Sequence, residues 1–239
     1  MRMLALVVIG CACAAPAAER KPFVSSFQRL RVEGSLRVVV NNGQSPGGRI
    51  TGDARLLDDI EVRQDGATVV VRRRRPASTS TSAPATIQPV VITLATPALA
   101  AAYLIGDGAL EVTGMKGPRL DVSVSGTGTI AAAGVLGTEL NATTLGAGRI
   151  TLAGRVSRAR ILVNGVGGVD ASALDAGELT VRLDGPGEVG ARARLTADLV
   201  STGLGRIAVA GAAKCQVRAP AGGTVLCGSR SEPAPPAGS

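Results

Sequence analysis

The stretch VSVSGTGTIAAAG, residues 122–134, places two glycines one residue apart between runs that alternate apolar and small polar side chains. The same Gly-x-Gly unit returns at Gly106/Gly108, Gly126/Gly128, Gly146/Gly148, Gly165/Gly167, Gly185/Gly187 and Gly203/Gly205. Successive first glycines stand 20, 20, 19, 20 and 18 residues apart, and a fixed period in this range marks a solenoid. The flanks keep phase with the glycines. Two and four residues before each first glycine the side chains are apolar or small: Val124 and Val122, Val163 and Ile161, Leu183 and Val181. Four and six residues after it the pattern resumes, as at Ile130 and Ala132 or Ile150 and Leu152. A period of two means strands with one buried face. A third corner falls eight residues on, at Gly114, Gly134, Gly154 and Gly211.

Each repeat therefore reads as strand, Gly-x-Gly corner, strand, corner and a short third segment. Glycine suits the corner because it adopts backbone angles closed to other residues and lets neighbouring coils approach. No coil buries its apolar face alone, but stacked coils do. The expected fold is all-β: a single-stranded parallel, right-handed β-helix with coils of about 20 residues. A β-sandwich would not hold one Gly-x-Gly phase through six turns. A calcium-binding nonapeptide roll needs a shorter period and a repeated Asp, whereas the residue between the glycines here is Asp, Thr, Ala, Val, Pro and Leu in turn.

Composition agrees with a narrow, regular core. Of 239 residues 45% are hydrophobic, yet there are only two Phe, one Tyr and no Trp; glycine numbers 32. The chain contains no His, which removes imidazole acid–base chemistry, His ligation of metals and the usual nucleophilic triad.

The remaining segments divide as follows. Residues 1–18 read as an export signal: Arg2, an apolar run from Met3 to Gly10, and a small-x-small site at Ala15-Pro16-Ala17. Val8-Ile9-Gly10-Cys11 also resembles a lipoprotein processing box, so cleavage near Ala17 and lipidation of Cys11 both stand. Residues 23–75 form a β-rich N-terminal cap, with LRVEGSLRVVV alternating and IEVRQDGATVVVRRRR reading as a hairpin turned at Asp65-Gly66. A Ser/Thr/Pro-rich loop covers 76–89, the Gly-x-Gly β-helix 90–211, a terminal hairpin stapled by Cys215–Cys227 spans 212–228, and 229–239 is a disordered tail. An even cysteine pair in an oxidising compartment predicts that disulfide.

Several stretches resemble a known family: FQRLRVEGSLRVVVNNG near the start, VVITLATPAL before the first coil, and the serial motifs IGDGALEVTG, VSGTGTIAAAG and TLGAGRITLAG. Together they are similar to the bacterial head GIN domain proteins, a domain of unknown function described as auto-transporter adhesins, over roughly residues 23–211. The resemblance implies an exported, β-helical surface or periplasmic protein of adhesin type, with no defined catalytic residues. The family's frequent Ser-Gly-Ser-Gly-Asp corner is varied here, and the acid after the second glycine is absent.

A β-helical polysaccharide-degrading enzyme would need clustered acids on an outward column. Five residues before the first glycine the side chains are Asp121, Asn141, Arg160, Thr180 and Asp198; one residue before it, Ser125, Leu145, Asn164, Asp184 and Thr202. Neither column pairs two carboxylates, so the expected protein is not an enzyme and needs no cofactor. The net charge is +8, densest at Arg72, Arg73, Arg74 and Arg75. That run either contacts a polyanion (an acidic glycan, lipopolysaccharide or another envelope component) or blunts a strand edge. Nucleic acid is not an expected partner, because aromatic stacking platforms are missing. Membrane contact is expected only through a lipid on Cys11. A non-catalytic binding module, a structural scaffold and a polysaccharide-degrading enzyme are the three readings, in that order; the sequence does not specify an oligomeric state.

Overall fold

The computed structural model describes residues 18–74 and 90–228. Period-two burial sets the strands. Every position two or four residues before a first glycine, or four or six after it, lies within 3% of full burial, from Ala102 and Leu104 in the first Gly-x-Gly coil to Ile207 and Val209 in the last. Each corner is followed by a strand that pairs in parallel with its equivalent one coil away. Asp121 to Gly126 lies on Ala101 to Gly106, and Asn141 to Gly146 lies on Asp121 to Gly126. The architecture is a parallel β-solenoid, as expected.

The glycine pair does two jobs at the first five Gly-x-Gly corners, whereas at the sixth Gly203 has no positive φ and serves the close approach alone. Gly126 has φ +119°, which side-chain-bearing residues rarely adopt, and a Cβ there would meet the Gly106 carbonyl oxygen at 2.5 Å. At Gly128 a Cβ would meet the Gly108 carbonyl oxygen at 2.7 Å. The first glycine supplies the turn and the second the close approach. The third corner is made the same way, with positive φ at Gly114, Gly134, Gly154 and Gly211.

The expected N-terminal cap is present, but its coils stack out of chain order. Strand Arg29–Glu33 turns at Gly34 (φ +87°) into strand Arg37–Asn42. These two strands sit between the coil of Thr68–Arg73 and Val91–Thr96 on one side and the first Gly-x-Gly coil on the other. The chain then runs outward and closes the column with antiparallel strands. Ile60–Asp65 covers Thr68–Arg73 through the Gly66 turn (φ +54°), and Gly47–Gly52 covers Val91–Thr96. One helical turn, Ala54–Leu57, links them. Strand Ala18–Arg20 pairs antiparallel with Gly47–Gly52, so the folded part begins ahead of residue 23.

The C-terminal segment differs from the expected hairpin. Lys214–Arg218 pairs in parallel with Glu188–Ser201, and Thr224–Cys227 in parallel with Arg206–Ala210. The two strands do not pair with each other. They are one more coil, turned at Gly222 and Gly223, because the inward phase simply continues: Val217 stacks on Leu199 and Val225 on Ile207.

Candidate functional site

The basic run occupies the N-terminal end of the face that precedes each Gly-x-Gly corner. Register places Arg72 between Glu61 and Glu33 on neighbouring strands. Arg72 Nε donates to Glu61 Oε2 at 3.1 Å. That hydrogen bond, with the nearby Arg72, Arg74 and Arg63 charges, holds the Glu61 carboxyl below its usual range despite the opposing effect of burial. Glu33 is taken by Arg31 Nε at 2.7 Å. The Arg74 backbone N–H donates to the Asp59 carbonyl at 2.6 Å. Among the described residues, the guanidinium groups of Arg73 and Arg74 have no acidic partner. An open groove of about 560 Å³ is lined by Glu33, Gly34, Glu61, Arg72, Arg73 and Arg74. The structure thus brings three of the four arginines to one groove and neutralises one of them; Arg75 lies outside the described residues.

A second concavity opens on the side of the stack. It holds about 300 Å³ and is lined by Glu139, Arg158, Ala159, Arg160, Glu178 and Thr180. It lies on the strands Thr129–Gly146, Arg149–Asn164 and Gly168–Asp184, shortly before their Gly-x-Gly corners. Its lining belongs to two columns. One runs Arg119, Glu139, Arg158, Glu178, Thr196, Lys214; the other runs Asp121, Asn141, Arg160, Thr180, Asp198, Gln216. The first column stands seven residues before each first glycine and escaped the two columns read for acids. Stepping at that offset would have found it.

The cysteines occupy inward positions of the last coil. Cys215 stacks on Ala197 and Cys227 on Val209, and the two form a disulfide with Cα atoms 6.5 Å apart. The bond crosses the end of the column instead of stapling a hairpin. Cys11, and the signal to which it was assigned, lie outside the described residues, as do the loop at 76–89 and the tail at 229–239. Among the described residues no group of three or more Cys, Asp or Glu could hold a metal ion, and no helix is long and apolar enough to cross a membrane.

Solved structures share this fold at low sequence identity. A crystal structure described as a "putative adhesin" from Bacteroides fragilis superposes with a TM-score of 0.76 at 19% identity, covering 90% of this chain and 98% of its own. One described as a "putative lipid binding protein" from Parabacteroides distasonis gives 0.70 at 18%, covering 90% and 97%. One described as a "putative adhesin" from Parabacteroides merdae gives 0.66 at 16%, again covering 90% and 97%. No curated protein matches the chain. The family described as "Putative auto-transporter adhesin, head GIN domain" matches residues 26–213, and the chain belongs to it.

Proposed function

We propose that this protein is an exported, non-catalytic module of the cell envelope or surface that binds polyanions through the Arg72–Arg74 groove. The observation that carries the reading is the pair Arg73 and Arg74, two guanidinium groups without acidic partners in an open groove on a chain of net charge +8. Arginine is suited to this task because its planar fork meets sulfate, phosphate or carboxylate oxygens two at a time. The lipid-binding and adhesin descriptions of the structural neighbours fit an envelope setting, with lipopolysaccharide phosphates or an acidic glycan as the polyanion. Export by residues 1–18 belongs to this reading, and the intact mass of the exported chain separates cleavage near Ala17 from lipidation of Cys11. The mature chain, retained on heparin and on lipopolysaccharide at physiological salt, tests the site. Arg73→Ser with Arg74→Ser should weaken retention about tenfold. Retention that vanishes with salt in the wild type would reduce the groove to diffuse charge attraction and favour a scaffold. Shortening of a polysaccharide during the assay would overturn the non-catalytic reading.

A further inference from the structure

The side groove at Arg158 holds unused hydrogen-bonding capacity. Among the described residues, Arg158, Arg160, Glu178 and Thr180 have no side-chain hydrogen bond or ion pair. This is not for want of acids nearby. Glu139 and Glu178 are the register neighbours of Arg158 on either side, yet neither comes within ion-pair distance of it. Glu139 instead meets Arg119 Nη2 at 3.6 Å. Arg160 stands between Asn141 and Thr180, and Asn141 is turned to Asp121 Oδ1 at 2.9 Å. Two guanidinium forks, two residues apart on the same face of one strand, therefore face a hollow with every donor available.

The order of charge along the groove limits what can lie in it. Successive coils present Arg119, Glu139, Arg158 and Glu178. With ~4.8 Å between coils, the basic positions recur about every 9.6 Å and an acid stands midway between them. An extended polymer with a charge on every sugar would set a carboxylate against Glu139 or Glu178. A polymer with one carboxylate per disaccharide would place its acids at the arginines and its neutral sugars at the glutamates, whose oxygens accept hydroxyl hydrogens. The absence of Trp and the single Tyr of the chain also direct recognition to hydrogen bonds instead of ring stacking.

We propose that this groove binds a linear polysaccharide in which a uronate alternates with a neutral sugar, with Arg158 and Arg160 clamping one carboxylate and Glu178 and Thr180 holding hydroxyls of the neighbouring sugar. The site goes beyond the polyanion reading. It lies five coils from Thr68, on the strand that carries Arg72, which is roughly 24 Å along the stack.

The test is titration calorimetry on the mature chain with three probes at physiological salt: hyaluronan (a carboxylate on alternate sugars), polygalacturonate (a carboxylate on every sugar) and neutral dextran. The Arg73→Ser/Arg74→Ser background silences the other groove. In that background hyaluronan should bind saturably, and polygalacturonate about tenfold more weakly or less. Arg158→Ser with Arg160→Ser should weaken hyaluronan about tenfold or more, with circular dichroism and melting unchanged because both side chains are exposed. Glu178→Gln should strengthen polygalacturonate. No saturable hyaluronan binding, or full binding by the double arginine variant, overturns the proposal. Heparin retention lost only in the Arg73/Arg74 variant would leave the polyanion reading standing alone.

Discussion

Thr144 is the one inward side chain whose replacement should strengthen the protein. It is fully buried in the column where Val124 lies on one side and Val163 on the other. Its Oγ1 is the single buried side-chain oxygen or nitrogen among the described residues without a hydrogen-bond partner. A buried hydroxyl without a partner costs about 1–3 kcal/mol in protein mutational data. Valine has the same shape, and its added methyl would pack into the existing Val124–Val163 ladder. Thr144→Val should therefore stabilise by about 1–2 kcal/mol, which for a chain of this size is a rise in Tm of about 2–8 °C. Thr96 is the internal control, because it is equally buried but satisfied. Its Oγ1 accepts the Phe27 N–H at 3.1 Å and donates to the Phe27 carbonyl at 2.6 Å. Thr96→Val strands two buried backbone groups and should destabilise by about 2–4 kcal/mol. Scanning calorimetry with urea unfolding of both variants reads the two signs directly. A lower Tm for Thr144→Val, or equal effects for the two substitutions, would refute the assignment of Thr144 as an unpaired group.

Three further outcomes follow from the geometry. Gly126→Ala combines a strained φ with a Cβ set against the Gly106 carbonyl, so it should cost about 2–4 kcal/mol in urea unfolding. Reduction of Cys215–Cys227, which closes a loop with a sequence separation of 12, should cost about 3 kcal/mol. In a stack held by nearest neighbours that loss stays local, so hydrogen exchange should rise first in residues 214–227 and not in residues 120–165. Arg72→Ser should let the Glu61 carboxyl titrate closer to its ordinary value, read by NMR. The sign follows from the lowered folded value. Glu61 adds stability above its unfolded pKa and loses it as pH falls through the folded one, so the variant should show a flatter stability profile across that acid range.

The interior of the fold was legible because it is written as a repeat. The offsets of two and four residues before a glycine, and four and six after it, name side chains that are buried in every Gly-x-Gly coil. The same offsets also fit two coils that the glycine pair did not announce. Leu30, Val32, Val38 and Val40 keep them around Gly34, where Leu36 replaces the second glycine; at the C-terminus Val217 and Val225 stand four residues before and after Ala221, which takes the place of the first glycine. The stretch Pro220 to Gly223 has the composition of a hairpin's tight turn, but it is another corner. The stacking order at the N-terminus was not legible. Arg29–Glu33 and Thr68–Arg73 are alternating strands of the same kind, and nothing local says which lies nearer to Ala101–Gly106. The side groove was legible only by half. The column of Arg160 and Thr180 stands at an offset taken for acids, whereas Glu139, Arg158 and Glu178 stand two residues earlier, and that the two columns line one hollow is a property of the stacked coils.

The two ends of the column are closed by different means, and this bears on where ligands can bind. At the N-terminal end antiparallel strands cover the parallel coils, and Phe27, Leu57 and Ile60 fill the interior beneath them. At the other end no strand follows Lys214–Arg218 or Thr224–Cys227 among the described residues, and a covalent bond spans the inward positions instead. Lys214 and Arg218 put charge on that last edge, which discourages pairing with another chain. Growth of the stack is thus opposed at both ends, and both proposed grooves open on the sides. There the inward columns must stay small and apolar, whereas an outward column changes without disturbing the ladder. A row of side chains ~4.8 Å apart then behaves as a printed line of charge, and the line Arg119, Glu139, Arg158, Glu178 alternates where a site for a dense polyanion would repeat one sign.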